Sequence, residues 1–401
     1  MSVPSWMSRS LFALVAAMAL GGGGCGDDAS ADPADPTTDT GGTDDTGSTD
    51  DTGDDDTGDD DAPDPCDIQG NTTLEELPDS GSAAFVLVDG DYRFIRRPGT
   101  EDTSISYIDS TCQFAYGWSR DKPFSDDTAI ETSWILNLDT LEFTDIEIPG
   151  AVWTVVRNAL DSGLVVGKLS FDNGTPDEPM DDESRGFIHN PATGDTDMYA
   201  RDGFFDIGFT AINEDGTVVG FNDFGTQGFS WAGDEFSDLD DPEAYRLFPF
   251  QISSNGTIVG FWGLDENTWF DNSVNPAFIA TPSDTGPQVQ KYELDGRTGT
   301  GLTGLNEAGQ LAGIAYSATT SLPVVFTAES AEAAPVFYPL PGSVEPFATG
   351  ISETGVVYGQ TFILEEPREC GGHGTATESG CDCDEGYESG AGDTPTCVPA
   401  T

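Results

Sequence analysis

The stretch AINEDGTVVG, residues 211–220, decides the fold because the chain repeats it. Clear copies are QISSNGTIVG (251–260), GLNEAGQLAG (304–313) and GISETGVVYG (350–359), and NALDSGLVVG (158–167) is a plain earlier one. A decayed copy, IDSTCQFAYG (108–117), lacks the first glycine and carries Cys112 instead. The final glycines fall at 117, 167, 220, 260, 313 and 359, so successive units run 50, 53, 40, 53 and 46 residues, the spacing of a repeat architecture. In each copy a strand ends at the apolar position, a tight polar turn uses glycine's positive φ, and a second strand such as TVVG returns into the core.

A second hairpin lies between successive copies: FVLVDGDYRFI (85–95), WILNLDTLEF (134–143), GFIHNPATGDTDMYA (186–200), GFSWAGDEFSDL (228–239), AFIATPSDTGPQVQKYEL (277–294) and VVFTAESAEAAPVFYPL (324–340). Two hairpins per unit make four strands, the content of one propeller blade. The chain begins with the second type of hairpin and ends with the first, so the last blade is completed by the first hairpin of the domain. The expectation is an all-β, six-bladed β-propeller of four-stranded repeats within residues 66–365. A linear β-solenoid or two stacked sandwiches is the rival arrangement.

The repeats resemble the HAF family of extracellular repeats, whose units pair a Gly-Phe strand with an Ile-Asn-x-x-Gly-x-Val-Val-Gly turn. The resemblance covers about 280 residues and is strongest at GFIHNPATGDTDMYA and AINEDGTVVG. It implies an exported repeat protein and supplies no activity, so the repeated glycine, aliphatic and turn positions are read as scaffold.

Charge excludes one class of partner. The chain carries 73 Asp and Glu against 14 Lys and Arg, and removing residues 1–65 still leaves a net of about −44. Nucleic-acid binders concentrate Lys and Arg on one face; this surface repels polyphosphate. An acidic field keeps a protein soluble and suits saline surroundings without specifying a function.

Residues 1–24 read as an export signal, with Arg9 as the lone charge, an apolar run from Leu11 to Leu20 and four glycines. Ten apolar residues are too few for a transmembrane helix. The segment LGGGGC, Leu20 to Cys25, resembles the lipobox of bacterial lipoproteins, which implies cleavage before Cys25 and lipid on its side chain. Gly22 departs from the family's preferred leucine, and an ordinary signal peptide with Cys25 as a free thiol is the rival. The expected localisation is the bacterial cell envelope, lipid-anchored at the outer membrane or cell surface. Residues 25–65, rich in Asp, Thr and Gly, lack any aromatic or large aliphatic side chain, the composition of a disordered, self-repelling linker.

Catalytic signals are scarce. His189 and His373 are the two histidines, too few for a multi-histidine metal site and poorly placed for a Ser-His-Asp relay. No catalytic residue is assigned. Carboxylates are too plentiful to locate a glycosidase pair. The acidic loops 175–184 and 234–243 offer oxygens to calcium through Asp177, Glu178, Asp181 and Asp182, or Asp234, Asp238, Asp240 and Asp241, although their spacing matches no rigid calcium motif. Trp231, Trp262 and Trp269 are candidates to line a carbohydrate or peptide groove, against the usual reading of such residues as core.

The C-terminal run CGGHGTATESGCDCDEGYESGAGDTPTC (370–397) contains C-x-C-x-x-G-Y followed by a distant cysteine. It resembles the latter half of an EGF-like module, truncated by two cysteines, and residues 366–401 are assigned to it. The resemblance implies pairing of Cys370 with Cys381 and of Cys383 with Cys397, and extracellular protein contacts. Zinc is the rival use of these cysteines, but the spacing forms no pair of knuckles and export favours oxidation. Cys66 and Cys112 then remain to pair, joining the end of the linker to the first blade.

The reading is a non-enzymatic, membrane-anchored, surface-displayed binding or adhesion lipoprotein with an extracellular protein or glycan ligand and no cofactor beyond calcium. The alternative is an extracellular hydrolase or lyase that acts on polysaccharide through carboxylates at the propeller's central channel.

Overall fold

In the computed structural model each turn motif joins two antiparallel strands. The described residues are 66–76, 81–122, 129–171, 183–201, 203–204, 206–222, 227–233, 235–265, 273–283, 286–317, 323–340, 344–363, and 374–377, 380–383, 387–389 and 397–399. The chain divides after Asp64, and the described residues all belong to the unit that runs on from Pro65.

The strands are, in chain order, β1 (Ser82–Val88), β2 (Asp91–Ile95), β3 (Asp102–Ile108), β4 (Phe114–Arg120), β5 (Glu131–Asn137) and β6 (Glu142–Ile146). Next come β7 (Trp153–Ala159), β8 (Val165–Phe171), β9 (Glu183–Asn190), β10 (Asp195–Tyr199), β11 (Ile207–Ile212) and β12 (Val218–Asn222). The later ones are β13 (Gln227–Ala232), β14 (Glu235–Asp238), β15 (Arg246–Ile252), β16 (Ile258–Gly263), β17 (Ala277–Thr281) and β18 (Gln288–Tyr292). The propeller ends with β19 (Arg297–Leu305), β20 (Leu311–Ser317), β21 (Pro323–Ala328), β22 (Val336–Tyr338), β23 (Val344–Ile351) and β24 (Val357–Ile363).

They form six four-stranded antiparallel sheets. Five are consecutive in sequence, and the sixth has the order β2-β1-β24-β23. Its two inner strands come from the end of the domain and its outer two from the beginning, with Phe85 opposite Gly359 across the seam. The six innermost strands, β3, β7, β11, β15, β19 and β23, touch in that cyclic order, and β23 returns to β3. This is the closed, six-bladed propeller that the hairpin order implied. We number the blades I to VI from β3, so that blade VI is the closing one.

One pairing recurs in every blade. The final glycine of the motif sits on the second strand, directly opposite an aromatic residue on the third: Gly117 with Trp134, Gly167 with Phe187, Gly220 with Phe229, Gly260 with Phe278, Gly313 with Phe326 and Gly359 with Phe85. All six rings are fully buried. Each contributes roughly 2–3 kcal/mol by leaving water.

The turns share a second device. In AINEDG the first turn residue, Asn213, accepts Thr217 N–H on its Oδ1 (2.9 Å) and donates through Nδ2 to Ser253 O of the next blade (3.0 Å). Asn306 repeats this toward Gln310 and Ser352. The turn glycines 163, 216, 256, 309 and 355 all have φ between 78° and 86°. In the decayed copy Cys112 takes this left-handed place at φ 54°.

Cys112 is disulfide-bonded to Cys66, the pairing left by elimination. Both sulfurs lie against Thr354 Oγ1 in the turn of blade VI, Cys66 at 3.0 Å and Cys112 at 3.3 Å. The incoming segment therefore starts at the turn face, beside the seam. It then runs along the outer edge of β2, where Asn71 N–H donates to Phe94 O (2.9 Å) and Thr72 bridges Phe94, covering an edge that would otherwise offer itself to other strands.

The C-terminal segment forms two short hairpins. One joins β25 (Gly374–Thr377) and β26 (Gly380–Cys383), the other β27 (Tyr387–Ser389) and β28 (Cys397–Pro399). Cys381 and Cys383 lie on β26 and Cys397 opens β28. Their side chains, together with Cys370 and Cys25, fall outside the described residues.

Candidate functional site: the axial cavity

Each inner strand carries a bulge at the same place, one residue past the partner of the motif's final glycine. The bulged residues are Ser106, Arg157, Thr210, Phe250, Thr303 and Thr349. A bulge re-aims a side chain without ending the strand. Five of the six line one cavity of about 40 Å³. A cavity touched by the inner strands of blades I, II, III, IV and VI lies on the propeller axis. It has room for a few water-sized groups.

Its position along the axis follows from the register. Ser104, Trp118, Phe347, Gln360 and Phe362 complete the lining, and all lie farther from the turns than the bulges do. On the turn side, Asn158 Nδ2 donates to Gln251 Oε1 (3.1 Å), bridging blades II and IV. The bridge floors the cavity toward the turn face, so the space extends toward the opposite face.

The hydroxyls are committed to the ring. Thr349 Oγ1 donates to Ile105 O (2.5 Å) and Ser106 Oγ to Val156 O (2.9 Å), each reaching the carbonyl just before the next blade's bulge. Thr210 Oγ1 donates to Val219 O (3.2 Å). Toward the cavity these oxygens offer lone pairs. Arg157 is the charged residue of the lining. Its guanidinium stands 6.0 Å from the centre of the Trp118 ring, a cation–π contact. Burial pushes its pKa down to about 10, against Glu131, which raises it, and with Arg120, which lowers it further. It is a cation at neutral pH. Behind it, Arg120 Nε and Nη2 both reach Glu131 Oε1, at 2.9 and 2.5 Å, in a nearly buried pair. Asp102, paired with Arg120 across β3 and β4, is pushed up to about pKa 6 by burial, although Ser82 and Arg120 oppose the shift.

The turn face has the opposite character. Ser110 N–H donates to Asp161 (2.9 Å), Ser254 N–H to Glu307 (2.6 Å) and Glu307 N–H to Glu353 (3.0 Å), so carboxylates stitch neighbouring turns together. Burial, then Glu307 and Asp161, raise the pKa of Glu353.

The residues singled out from sequence are placed elsewhere. His189 is buried on β9 with Nδ1 2.8 Å from Thr196 Oγ1, and burial lowers its pKa. Asp238 is held by Arg201 through bonds of 2.6 and 3.2 Å. Asp240 accepts from Gln227 Nε2 (3.1 Å), and Asp241 caps its own turn at Glu243 N–H (2.8 Å). Asp177, Glu178, Asp181, Asp182, Asp234 and Trp269 lie outside the described residues. Among the described residues no group of three or more His, Cys, Asp or Glu side chains converges as a metal site. Trp262 is core, 3% exposed, and so lines no groove. Trp231 is half-buried in an aromatic cluster, 4.6 Å from the Tyr199 ring.

The sequence placed the alternative reading's site at the central channel, but as carboxylates, and none of the bulged residues was singled out. Their signal in the sequence is an offset: the bulge residue stands six positions before the turn glycine in every copy, counting Cys112 as that glycine in the first.

Fold and site define a closed six-bladed β-propeller with an axial cavity lined by both polar and aromatic side chains. Among solved structures it is similar to TolB from Agrobacterium tumefaciens, at 10% identity and a TM-score of 0.50, covering 72% of this chain and all of that one. TolB from Acinetobacter baumannii aligns at 12% identity and TM-score 0.37, over 71% of this chain and 64% of that one. The acylaminoacyl peptidase of Pyrococcus horikoshii aligns at 12% and 0.43 over 67% of this chain, which spans only 43% of the peptidase. Likeness at these identities shows the fold alone. No family model matches the chain and no curated protein matches it.

Proposed function

We propose that this chain is a lipid-anchored propeller displayed at the bacterial cell surface, where it recognises an extracellular ligand without transforming it. The observation that carries the reading is the bulge ring. Five structural features of the repeat are kept in all six blades, namely the two hairpins, the turn, the opposed glycine and the buried aromatic ring. The bulged residue changes chemistry around the ring, from hydroxyl to guanidinium to phenyl. Such a pattern fits a scaffold that holds one individual site.

The hydrolase or lyase alternative relies on carboxylates at the central channel. Among the described residues no Asp or Glu lines the axial cavity, which favours recognition.

The anchor supports display. Cys25 and the acidic linker precede Cys66, which enters at the turn face. The cavity extends toward the opposite face. The HAF-type repeats and the EGF-like segment fit an exported protein with extracellular contacts.

Mass spectrometry of the mature N-terminus tests the anchor, with diacylglycerol on Cys25 as the expected finding and an unmodified Cys25 as the refutation. A glycan and peptide array probed with the full chain, with and without calcium, tests recognition. Selective retention is expected, and uniform absence of binding would remove the reading.

A further inference from the structure

We infer that the axial cavity is a sugar-acid site, in which Arg157 takes the carboxylate of a uronate and the ring hydroxyls of the protein receive its hydroxyl protons. The inference rests on the recognition reading above and names the ligand class.

Three observations support it. First, a guanidinium inside a small cavity is a planar donor matched to a carboxylate, and it is the cation of this lining in a chain with a formal net charge of −59. Second, Ser106, Thr210 and Thr349 have already given their protons to backbone carbonyls. They can only accept from a ligand, which selects against a bare carboxylate and for one that also carries hydroxyl donors. Third, Trp118, Phe250, Phe347 and Phe362 share the lining, and aromatic faces suit the apolar side of a sugar ring. The space of about 40 Å³ admits the carboxylate edge of one residue and leaves the remainder toward the face opposite the turns.

The surrounding charge makes an unusual demand. Long-range repulsion opposes the approach of any anion to this protein, and salt screens that repulsion more than it screens the buried contact. Affinity for a uronate should therefore hold or rise between low and high salt, where surface-driven anion binding falls.

Calorimetric titration of the full chain with glucuronate, its methyl ester and glucose tests the inference. Glucuronate should bind saturably, and the ester and glucose at least tenfold more weakly. Equal binding of the three, or no binding of glucuronate, overturns it without any variant. Arg157→Gln should reduce glucuronate affinity at least tenfold while melting as a single transition; unchanged affinity also overturns it. If that variant does not fold, Arg157→Lys, which keeps the charge and loses the planar fork, should weaken binding several-fold, and full affinity would count against the site. An oligouronide arm separates sources: tighter binding than the monomer identifies a polysaccharide end, and equal binding a free sugar acid. Array retention that persists without glucuronate binding would leave recognition standing and remove this site. Glucuronate binding without array retention would support the site and assign it to a free sugar acid.

Discussion

Gly220 and Phe229 stand directly opposite each other on adjacent strands, and the ring occupies the space a side chain on Gly220 would need. A Cβ there would lie 2.9 Å from the ring and 2.1 Å from Gly208 O of the inner strand. The same squeeze recurs at Gly117, Gly167, Gly260, Gly313 and Gly359, each with a carbonyl at 2.0–2.1 Å. The glycine thus lets the inner strand approach while the aromatic ring seals the blade.

Gly220→Ala should therefore cost at least about 2–3 kcal/mol, through displaced backbone as well as overpacking. Gly194→Ala is the control, since its φ of 78° is strained for alanine but nothing lies within 4 Å, and it should cost about 1 kcal/mol. Denaturant unfolding of the two variants checks the order, and equal losses would contradict the packing argument.

The Cys66–Cys112 disulfide spans 46 residues, and removing it with Cys66→Ser and Cys112→Ser should destabilise the propeller by about 2–4 kcal/mol. Replacing Cys112 with glycine in the Cys66→Ser background should recover about 1 kcal/mol, because the backbone at 112 is left-handed at φ 54°. Melting curves of the pair distinguish lost cross-link from backbone strain.

Asp102 gives a pH dependence. Its folded pKa of about 6 lies above its ordinary 3.8, so the native state binds the proton more tightly than the unfolded chain does. The stability it contributes is full below about pH 3.8 and is lost as pH rises through 6, amounting to about 2–3 kcal/mol. Asp102→Asn should flatten the stability difference between pH 4 and pH 8 by that amount and gain most at the alkaline end. An unchanged profile would show that the group is ionised without penalty.

Thr303 differs from its equivalents. Its buried hydroxyl has no protein partner, whereas Thr349 bonds Ile105 O and Tyr358 O. Thr303→Val should be neutral or stabilising by up to about 1 kcal/mol, and Thr349→Val should cost about 1–2 kcal/mol. Chemical denaturation of both variants reads the contrast directly.

Much of this architecture is legible in the sequence. A recurrent turn at six places, glycine-centred in five of them, marks six hairpins, and the mismatch between the first and last hairpin types implies closure through blade VI. Setting aside Cys25 and the C-terminal cysteines left Cys66 with Cys112. The cavity was hidden for a physical reason. A bulge adds one residue to a strand without altering its apolar character, so TVVRNA reads as an ordinary strand with one charge. Only the pairing shift between Val156 and Asn158 shows that Arg157 is turned toward the axis. Trp262 followed the usual reading of such aromatics as core, and its ring packs among Leu247, Ile252 and Ile258. The acidic residues near 240 were conspicuous in sequence, yet Asp238 is committed to Arg201.

Incubating the full chain with a panel of neutral and acidic polysaccharides, and following retention and product release together, tests recognition without catalysis most directly. Recognition without catalysis predicts selective retention with no new chain ends and no unsaturated product. Progressive release of oligosaccharides by the purified chain would contradict it.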